Sequence, residues 1–497
     1  MRGILRGAHF SRMPVPDRRG GGWLPWGLHP LLCLTLVSCT HAGQLLGRPP
    51  APPPLPPGIR VAFNQRQDSS YRSPISGAER RGDDLEALLL QTIRGARREL
   101  LVAVQELSLP AVAEALVQQH RRGLRVRVVL ENTYSTPWSE QHEAELSPHL
   151  RSRRLQLMAL ADRNRDGRLS AAEREAGDAV LILRRGGVPV IDDRADGSAG
   201  SGLMHSKYLL ADGRVVVTGS ANFTPSCIHG DPDDGRTRGN VNHLLQIEST
   251  ALATLFTDDF NRMWGDGPGG LPDSRFGLAK RSGPAHSVRV GDSDIRVLFA
   301  PHRRSDPDHG LKLIAATLHQ TRRHVDMALF VFSAQELTPV LAELQQRGVA
   351  LRILADPGFA SRSFSEVLDL LGVTLADRHC RLEAGNSPLA RALEGVGIPR
   401  LPAGDKLHHK LAVIDNRTVI SGSFNWSPSA AHQNDEVLLV IDSPLLAAHF
   451  SREMDRLWRG AELGLTPALA RRLERGRRRC GSGIARAPAM MATDRQP

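Results

Sequence analysis

The sequence predicts an α/β fold in tandem duplicate, two copies of one layered half packed face to face around a single site. Three observations carry that expectation. Residues 204–226 (MHSKYLLADGRVVVTGSANFTPS) and 407–429 (LHHKLAVIDNRTVISGSFNWSPS) superimpose at a shift of 203 positions without a gap. The apolar patterns that lead up to each stretch occur in the same order, period 2 alternating with period 3.6, as expected for strands and helices in layers. Between the copies, residues 265–291 are rich in Gly and Pro, the composition of a joint.

Taken from the start, residues 1–38 read as a targeting segment. Arg18 and Arg19 precede an apolar run over 23–37 that is too short to span a membrane as a helix. The run closes on Leu36-Val37-Ser38-Cys39, which is similar to the bacterial lipobox preceding a lipidated cysteine, so export to the cell envelope or secretion is expected. Residues 39–59 include RPPAPPPLPPG, a semi-rigid extended tether.

The first half, 60–264, opens as strand (60–64), helix (85–96), strand (100–104), helix (111–122) and strand (125–130). The second half, 292–460, repeats this with IRVLFAP, a helix from Lys312, VDMALFVF, the helix ending AELQQRG, and ALRILAD. The first half is longer by about 22 residues between its third strand and its His-Lys stretch. Within that surplus, Asp162, Asn164, Asp166, Gly167, Arg168, Ser170 and Glu173 fit the calcium-loop pattern D-x-[DN]-x-[DN]-G-x5-E. Five side chains and the Arg168 carbonyl would supply the oxygen ligands, and helical patterns flank the loop. The expected ion is Ca2+ in a structural role. The acidic stretch 192–202 (DDRADGSAGSG) reads as solvated surface or a cover for the site. The later CIHGDPDDGRTRG insertion reads as part of the substrate mouth, with His229 a bystander on the surface.

In each matched stretch, His and Lys stand two apart, which puts them on one face of a strand. His205 and Lys207 are matched by His408 and Lys410. A turn at Asp212 or Asp415 and a second apolar strand then bring back Ser220 and Asn222, or Ser423 and Asn425. The chain has only five lysines, and two hold the same place in both copies. An imidazole, an ammonium, a hydroxyl and a carboxamide around one point suit a phosphodiester. Lys and Asn hold non-bridging oxygens, while a histidine attacks phosphorus or moves a proton.

These residues resemble the phospholipase D superfamily, whose signature is H-x-K-x-x-x-x-D followed by G-S-x-N, and the resemblance covers about residues 60–460. The second stretch looks like the branch of bacterial periplasmic nucleases and mitochondrial cardiolipin hydrolase. The resemblance implies a phospholipase D-like α/β/α sandwich in each half, one site built from both motifs, a phosphohistidine intermediate, and no metal or cofactor for the chemistry. It also implies that Asp212 and Asp415 brace the hairpins. Family members usually place a carboxylate beyond G-S-x-N to orient the histidine of the same half; Glu436 fits for His408, and Asn242 stands at the corresponding place in the first half. On that reading Glu436 keeps His408 protonated as the general acid, and His205, facing an amide, is the neutral nucleophile.

Charge limits the partner classes. The net charge of +11 lies in the tails, 1–60 and 461–497, and the residues between them are balanced. With 13 Phe, 6 Trp and 3 Tyr, the body lacks the basic and aromatic density of a single-strand groove. A phospholipid or membrane surface is therefore the leading partner, nucleic acid the rival, and an inactive binding scaffold is disfavoured because both motifs are complete. The chain is expected to act as a monomer. Cys227, Cys380 and Cys480 remain after export and lipidation; they lack zinc-ligand spacing and allow one disulfide of unreadable connectivity. Residues 461–497, with the run RRLERGRRR, read as a solvated basic tail.

Overall fold

A computed structural model describes residues 51–198, 202–481 and 483–486. The targeting segment 1–38, Cys39 and the start of the tether lie outside the described residues.

The first half is built on β1 (Ile59–Phe63), α1 (Leu85–Gly95), β2 (Glu99–Val104), α2 (Pro110–Arg121), β3 (Arg125–Leu130), α3 (Pro148–Ala161), α4 (Ala171–Gly177), α5 (Ala179–Arg185), β4 (Val190–Asp192), β5 (Lys207–Ala211), β6 (Val215–Gly219), β7 (His243–Glu248) and α6 (Thr250–Trp264). Its seven strands lie in the order β1-β7-β6-β5-β2-β3-β4. The second half comprises β8 (His286–Val290), β9 (Ser293–Ala300), α7 (Gly310–His319), β10 (His324–Leu329), α8 (Thr338–Gln346), β11 (Ala350–Ala355), β12 (Val396–Ile398), β13 (Lys410–Ile414), β14 (Thr418–Gly422), β15 (Glu436–Asp442), α9 (Pro444–Trp458), β16 (Glu462–Leu463) and α10 (Pro467–Cys480). Its order, β8-β9-β15-β14-β13-β10-β11-β12-β16, contains the same seven-strand pattern with one strand added at each edge.

The expected duplication is therefore present strand for strand. Val104 pairs with Lys207 across β2 and β5, and Leu329 pairs with Lys410 across β10 and β13. Alternation along the motif strands decides which way each side chain faces. Tyr208 and Leu210, like Leu411 and Val413, enter a core shared by both sheets. Leu209 and Ala211 face the outer core of the first half, and Ala412 and Ile414 that of the second. Helices α6 and α9 also enter the shared core, with Phe256, Phe260 and Phe450 fully buried. Ser249 and Ser443 cap them by accepting from the N–H groups of Leu252 and Leu446. Truncating Phe450 to Ala would cost about 3–5 kcal/mol, because its ring packs edge-on against Phe63 and His243 of the first half.

The boundaries expected from composition need correction at two places. Strand β8 begins inside the expected joint at His286 and pairs with β9, so that part of the joint is sheet edge. Residues 467–480 of the expected solvated tail form α10, which packs Leu469 and Leu473 into the second half's core and ends in a Cys380–Cys480 disulfide. Among the described residues, no helix is long and apolar enough to cross a membrane.

Candidate active site

Both motif strands start at the contact between the halves. Met204 bridges to Asp435 and Val241 to Leu407, two contacts related by the internal duplication. His205 N–H donates to the Asp435 carbonyl at 2.9 Å, and His408 N–H to that of Val241 at 3.1 Å. Each histidine is thus anchored by the opposite half.

The side chains follow the same exchange. Nδ1 of His205 lies 2.8 Å from the Glu436 carboxylate, and Nδ1 of His408 lies 2.9 Å from Oδ1 of Asn242. This corrects the expectation that Glu436 orients His408: the carboxylate serves His205, and the amide serves His408. The reason is spatial, since the turn at 434–435 is pinned to the first half and delivers the first residue of β15 there. The amide of Asn242 is also fixed in orientation. Its Nδ2 donates to the carbonyls of Cys227 and Asn240, both at 3.0 Å, so its oxygen faces His408 and accepts a hydrogen bond from Nδ1–H. The acceptors are steadied by the motif serines, Ser423 donating to Glu436 at 2.6 Å and Ser220 to Asn242 at 2.8 Å. Both imidazoles therefore hold their Nδ1 protons inward, which leaves the two Nε2 atoms for chemistry.

Lys207 and Lys410 are 0% and 1% exposed. Each ammonium donates to the carbonyl of its own motif histidine, at 2.6 and 2.8 Å. Lys207 also reaches Oε1 of Gln105, which in turn accepts from Asn222 at 3.2 Å. Oδ1 of Asn222 and of Asn425 are buried without a partner among the described residues. Burial pushes the Lys207 ammonium down to about 8, and it holds Lys410 well below the ordinary lysine value with the help of Lys207. Burial likewise lowers His205 to about 4, against the upward pull of Glu436, and holds His408 well below its usual value, aided by Lys410 and Lys207. Two desolvated ammoniums share one carboxylate, a field complementary to a bound monoanion.

Asp212 and Asp415 stand away from this point. Asp212 accepts from the N–H groups of Arg97, Arg98 and Glu99, and Asp415 from those of Arg322, Arg323 and His324. They tie each hairpin to the start of its neighbouring strand.

Sequence reasoning missed several positioning residues. Asp193 accepts from Met204 N–H at 3.1 Å and Asp356 from Leu407 N–H at 3.0 Å, so the matching N–H groups of the two motifs are held by aspartates that follow non-equivalent strands. Stretch 192–202 is thus more than solvated surface, because Asp193 is 2% exposed. An aspartate just after β4 and another just after β11 were the available signal. Lys280, in the joint, is buried between Asp259 and Asp435 at 2.8 and 2.9 Å and so steadies the segment that holds His205. His229 is also corrected: it is buried, with Nε2 2.8 Å from Glu86 and Nδ1 2.9 Å from the Tyr71 hydroxyl. The insertion around it grips the second half, as Arg238 and Gly239 donate to Asp405.

In the loop expected to hold calcium, Gly167 has φ +74° and its N–H donates to Asp162 Oδ2 at 2.9 Å. Asp166 caps Arg168 N–H, and Glu173 forms a capping box with Ser170 while accepting from Arg163 N–H. No three His, Cys, Asp or Glu side chains converge as a metal set among the described residues.

The profile described as cardiolipin synthase, PLD-like domain matches residues 89–264 and 314–458. The chain is 26% identical to the mitochondrial cardiolipin hydrolase of Xenopus tropicalis over 151 residues, 30% of this chain and 62% of that protein. It is 29% identical to a phospholipase D of Rickettsia bellii over 159 residues, 32% and 66% of the respective lengths. It thus spans less than two thirds of either relative. A phosphatidylserine synthase structure from Haemophilus influenzae aligns with 86% of this chain and 92% of its own at 13% identity and a TM-score of 0.49. With the profile matching both halves and each match containing a complete motif, the chain belongs to the phospholipase D superfamily.

Proposed function

We propose that this protein is a phosphodiesterase of the phospholipase D type that cleaves a phospholipid headgroup through a phosphohistidine on His205. The observation that carries the reading is the crossed pairing of the two imidazoles. With Nδ1–H held by the Glu436 carboxylate, Nε2 of His205 carries a lone pair, and the carboxylate stabilises the positive ring that forms when Nε2 bonds phosphorus. His408 faces an amide, so its imidazolium is the stronger acid and its Nε2–H is suited to protonate the leaving alkoxide. Lys207, Lys410, Asn222 and Asn425 hold the non-bridging oxygens. In the second step Nε2 of His408 takes a proton from water, the hydroxide attacks phosphorus, and the P–N bond to His205 breaks. The assignment of nucleophile and acid is the one expected from sequence, but its basis is reversed. The closed geometry needs only one chain.

A panel of phosphatidylcholine, cardiolipin and plasmid DNA, given to wild type and to His408→Ala, tests the substrate class. Release of headgroup that vanishes in the variant is the expected result. DNA cleavage that vanishes, with both lipids untouched, would replace this reading with a nuclease.

Two further proposals concern the chain outside the site. Residues 162–173 are proposed to bind a structural Ca2+ through Asp162, Asn164, Asp166, the Arg168 carbonyl, Ser170 and Glu173. The support is Oδ1 of Asp162, which is buried without a partner while Oδ2 holds Gly167 N–H. A hundredfold excess of calcium over its Kd would add about 2.7 kcal/mol, read as a rise in melting temperature; an unchanged rise in Asp162→Ala and Glu173→Ala would exclude the site. The chain is also proposed to be exported and to mature at Cys39. Intact mass of native protein retaining residues 1–38 would refute that.

A further inference from the structure

Helix α10 buries Leu469, Leu473, Gly476 and Cys480, spaced four, three and four apart. The same periodicity places Arg471, Arg475 and Arg478 on the opposite face, and all three are exposed. Arg472 and Arg479 flank them and hold the helix to its neighbours, through the Ser361 hydroxyl at 3.4 Å and the Asp377 carbonyl at 2.8 Å. With the disulfide from Cys480 to Cys380, these contacts present the arginines as one fixed surface. Glu474 is the helix's single acid and is already paired with Arg478.

The surface is linked to the site through Arg362 and two phenylalanines in contact. Arg362, close enough to Arg472 to disfavour its charge, lies over the ring of Phe359 at 5.8 Å. Phe359 packs on Phe330 at 4.6 Å, and Phe330 packs on His408 at 4.6 Å. A line of ring contacts therefore runs from Arg362 to the imidazole proposed to protonate the leaving group. Phe364, beside Arg362, is 41% exposed, and Leu465 and Ile484, at the two ends of α10, are 49% and 40% exposed.

We infer that the arginine face of α10, together with Arg362 and these exposed apolar side chains, is a docking surface for an anionic phospholipid bilayer. Headgroup phosphates match the guanidinium groups, and the acyl boundary takes Phe364, Leu465 and Ile484. A polynucleotide would match the charge but leave the aliphatic side chains in water, and its binding grooves interleave cations with several aromatic rings. The inference concerns adsorption, so it stands or falls separately from the chemistry proposed for His205.

The experiment uses the full chain carrying His408→Ala, so that turnover cannot alter the vesicles. With Cys39→Ser added, so that no acyl chain anchors it, it should sediment with phosphatidylglycerol vesicles and not with phosphatidylcholine vesicles, and salt should release it. Each basic residue near an anionic surface contributes about fivefold in affinity, so R471Q/R475Q/R478Q should weaken binding on the order of a hundredfold with an unchanged melting curve. Leu465→Ser should reduce what binding remains at high salt. Equal vesicle binding by the triple variant would overturn the inference. So would a single-stranded oligonucleotide that binds the parent and is lost by the triple variant while phosphatidylglycerol binding persists.

Discussion

The two halves share a strand order and a motif, yet the shells around their histidines differ. In the first, Gln105 at the end of β2 joins Lys207 to Asn222 by hydrogen bonds. At the matching place in the second, Phe330 lies under Lys410 and against His408, giving a cation–π contact at 4.9 Å in place of a polar bridge. The acceptors differ too, with a carboxylate for one imidazole and an amide for the other. Duplication alone would give two equivalent groups. Under the proposed mechanism the differences divide the labour, and because each acceptor crosses the interface, a change in one half should be felt at the histidine of the other.

Removing either histidine should break the comparison most severely. His205→Ala should lower turnover by at least about a thousandfold, the scale seen when one member of a catalytic set is lost, and should abolish acid-trapped phosphoprotein. His408→Ala should be similarly slow on natural substrate, yet still give phosphate on the peptide containing His205 when the leaving group needs no proton. Phosphate found on the His408 peptide of wild type, with none on that of His205, would exchange the two roles.

Glu436→Gln should come next, at about a hundredfold or more, since an amide at this place no longer stabilises the charged ring. Trapped phosphoenzyme should form more slowly, which rapid quench would measure. An effect confined to leaving-group dependence would instead tie Glu436 to His408.

Asn242→Asp sharpens the comparison by making the acceptors alike. His205 must be neutral, with its pKa at about 4, and His408 must be protonated, with its pKa well below 6.5. Both pKa values lie below 6.5, so the kcat/KM of the wild type should peak in acid, between them, and decline toward neutrality. A carboxylate beside His408 should raise that second pKa by about 1–3 units and carry the declining limb upward. A pH profile that does not move would exclude His408 as the titrating acid.

The smallest effects belong to Asp212→Ala and Asp415→Ala. Burial pushes both carboxyls up, but the backbone N–H donors pull them further down, below the ordinary aspartate value. A carboxylate depressed in the folded state adds stability above its unfolded pKa of about 3.9 and loses it as pH falls through the folded value. Each variant should lose about 1–3 kcal/mol near neutrality and less in acid, with kcat changed only severalfold. Urea titrations at two pH values would show it.

The motif residues, the duplication and the succession of strands and helices along the chain were legible because each is written in local spacing; the order of strands in the sheets was not. Period-2 and period-3.6 patterns need no knowledge of the partner surface, and a repeat at 203 positions is visible in the chain itself. The partner of Glu436 was not legible, because spacing within one half cannot show that the 434–435 turn leans on residues 203–205 of the other. His229 was misjudged because its partners Glu86 and Tyr71, though in the same half, lie 143 and 158 residues away along the chain. Helix α10 is a different case. Its arginines drew the reading toward a solvated tail, although Leu469, Leu473, Gly476 and Cys480 already marked one apolar stripe.

The crossed anchoring of His205 and His408 also constrains how such a gene can change. A half expressed alone would carry a complete signature and no working centre, since its histidine would lack both its carbonyl anchor and its ring partner. Mixing the separated halves should restore a centre only where both interfaces form. Substitutions tolerated at 435–436 should therefore track those tolerated around His205 in the first half, and inheritance of the two halves should be coupled through the seam rather than along the chain.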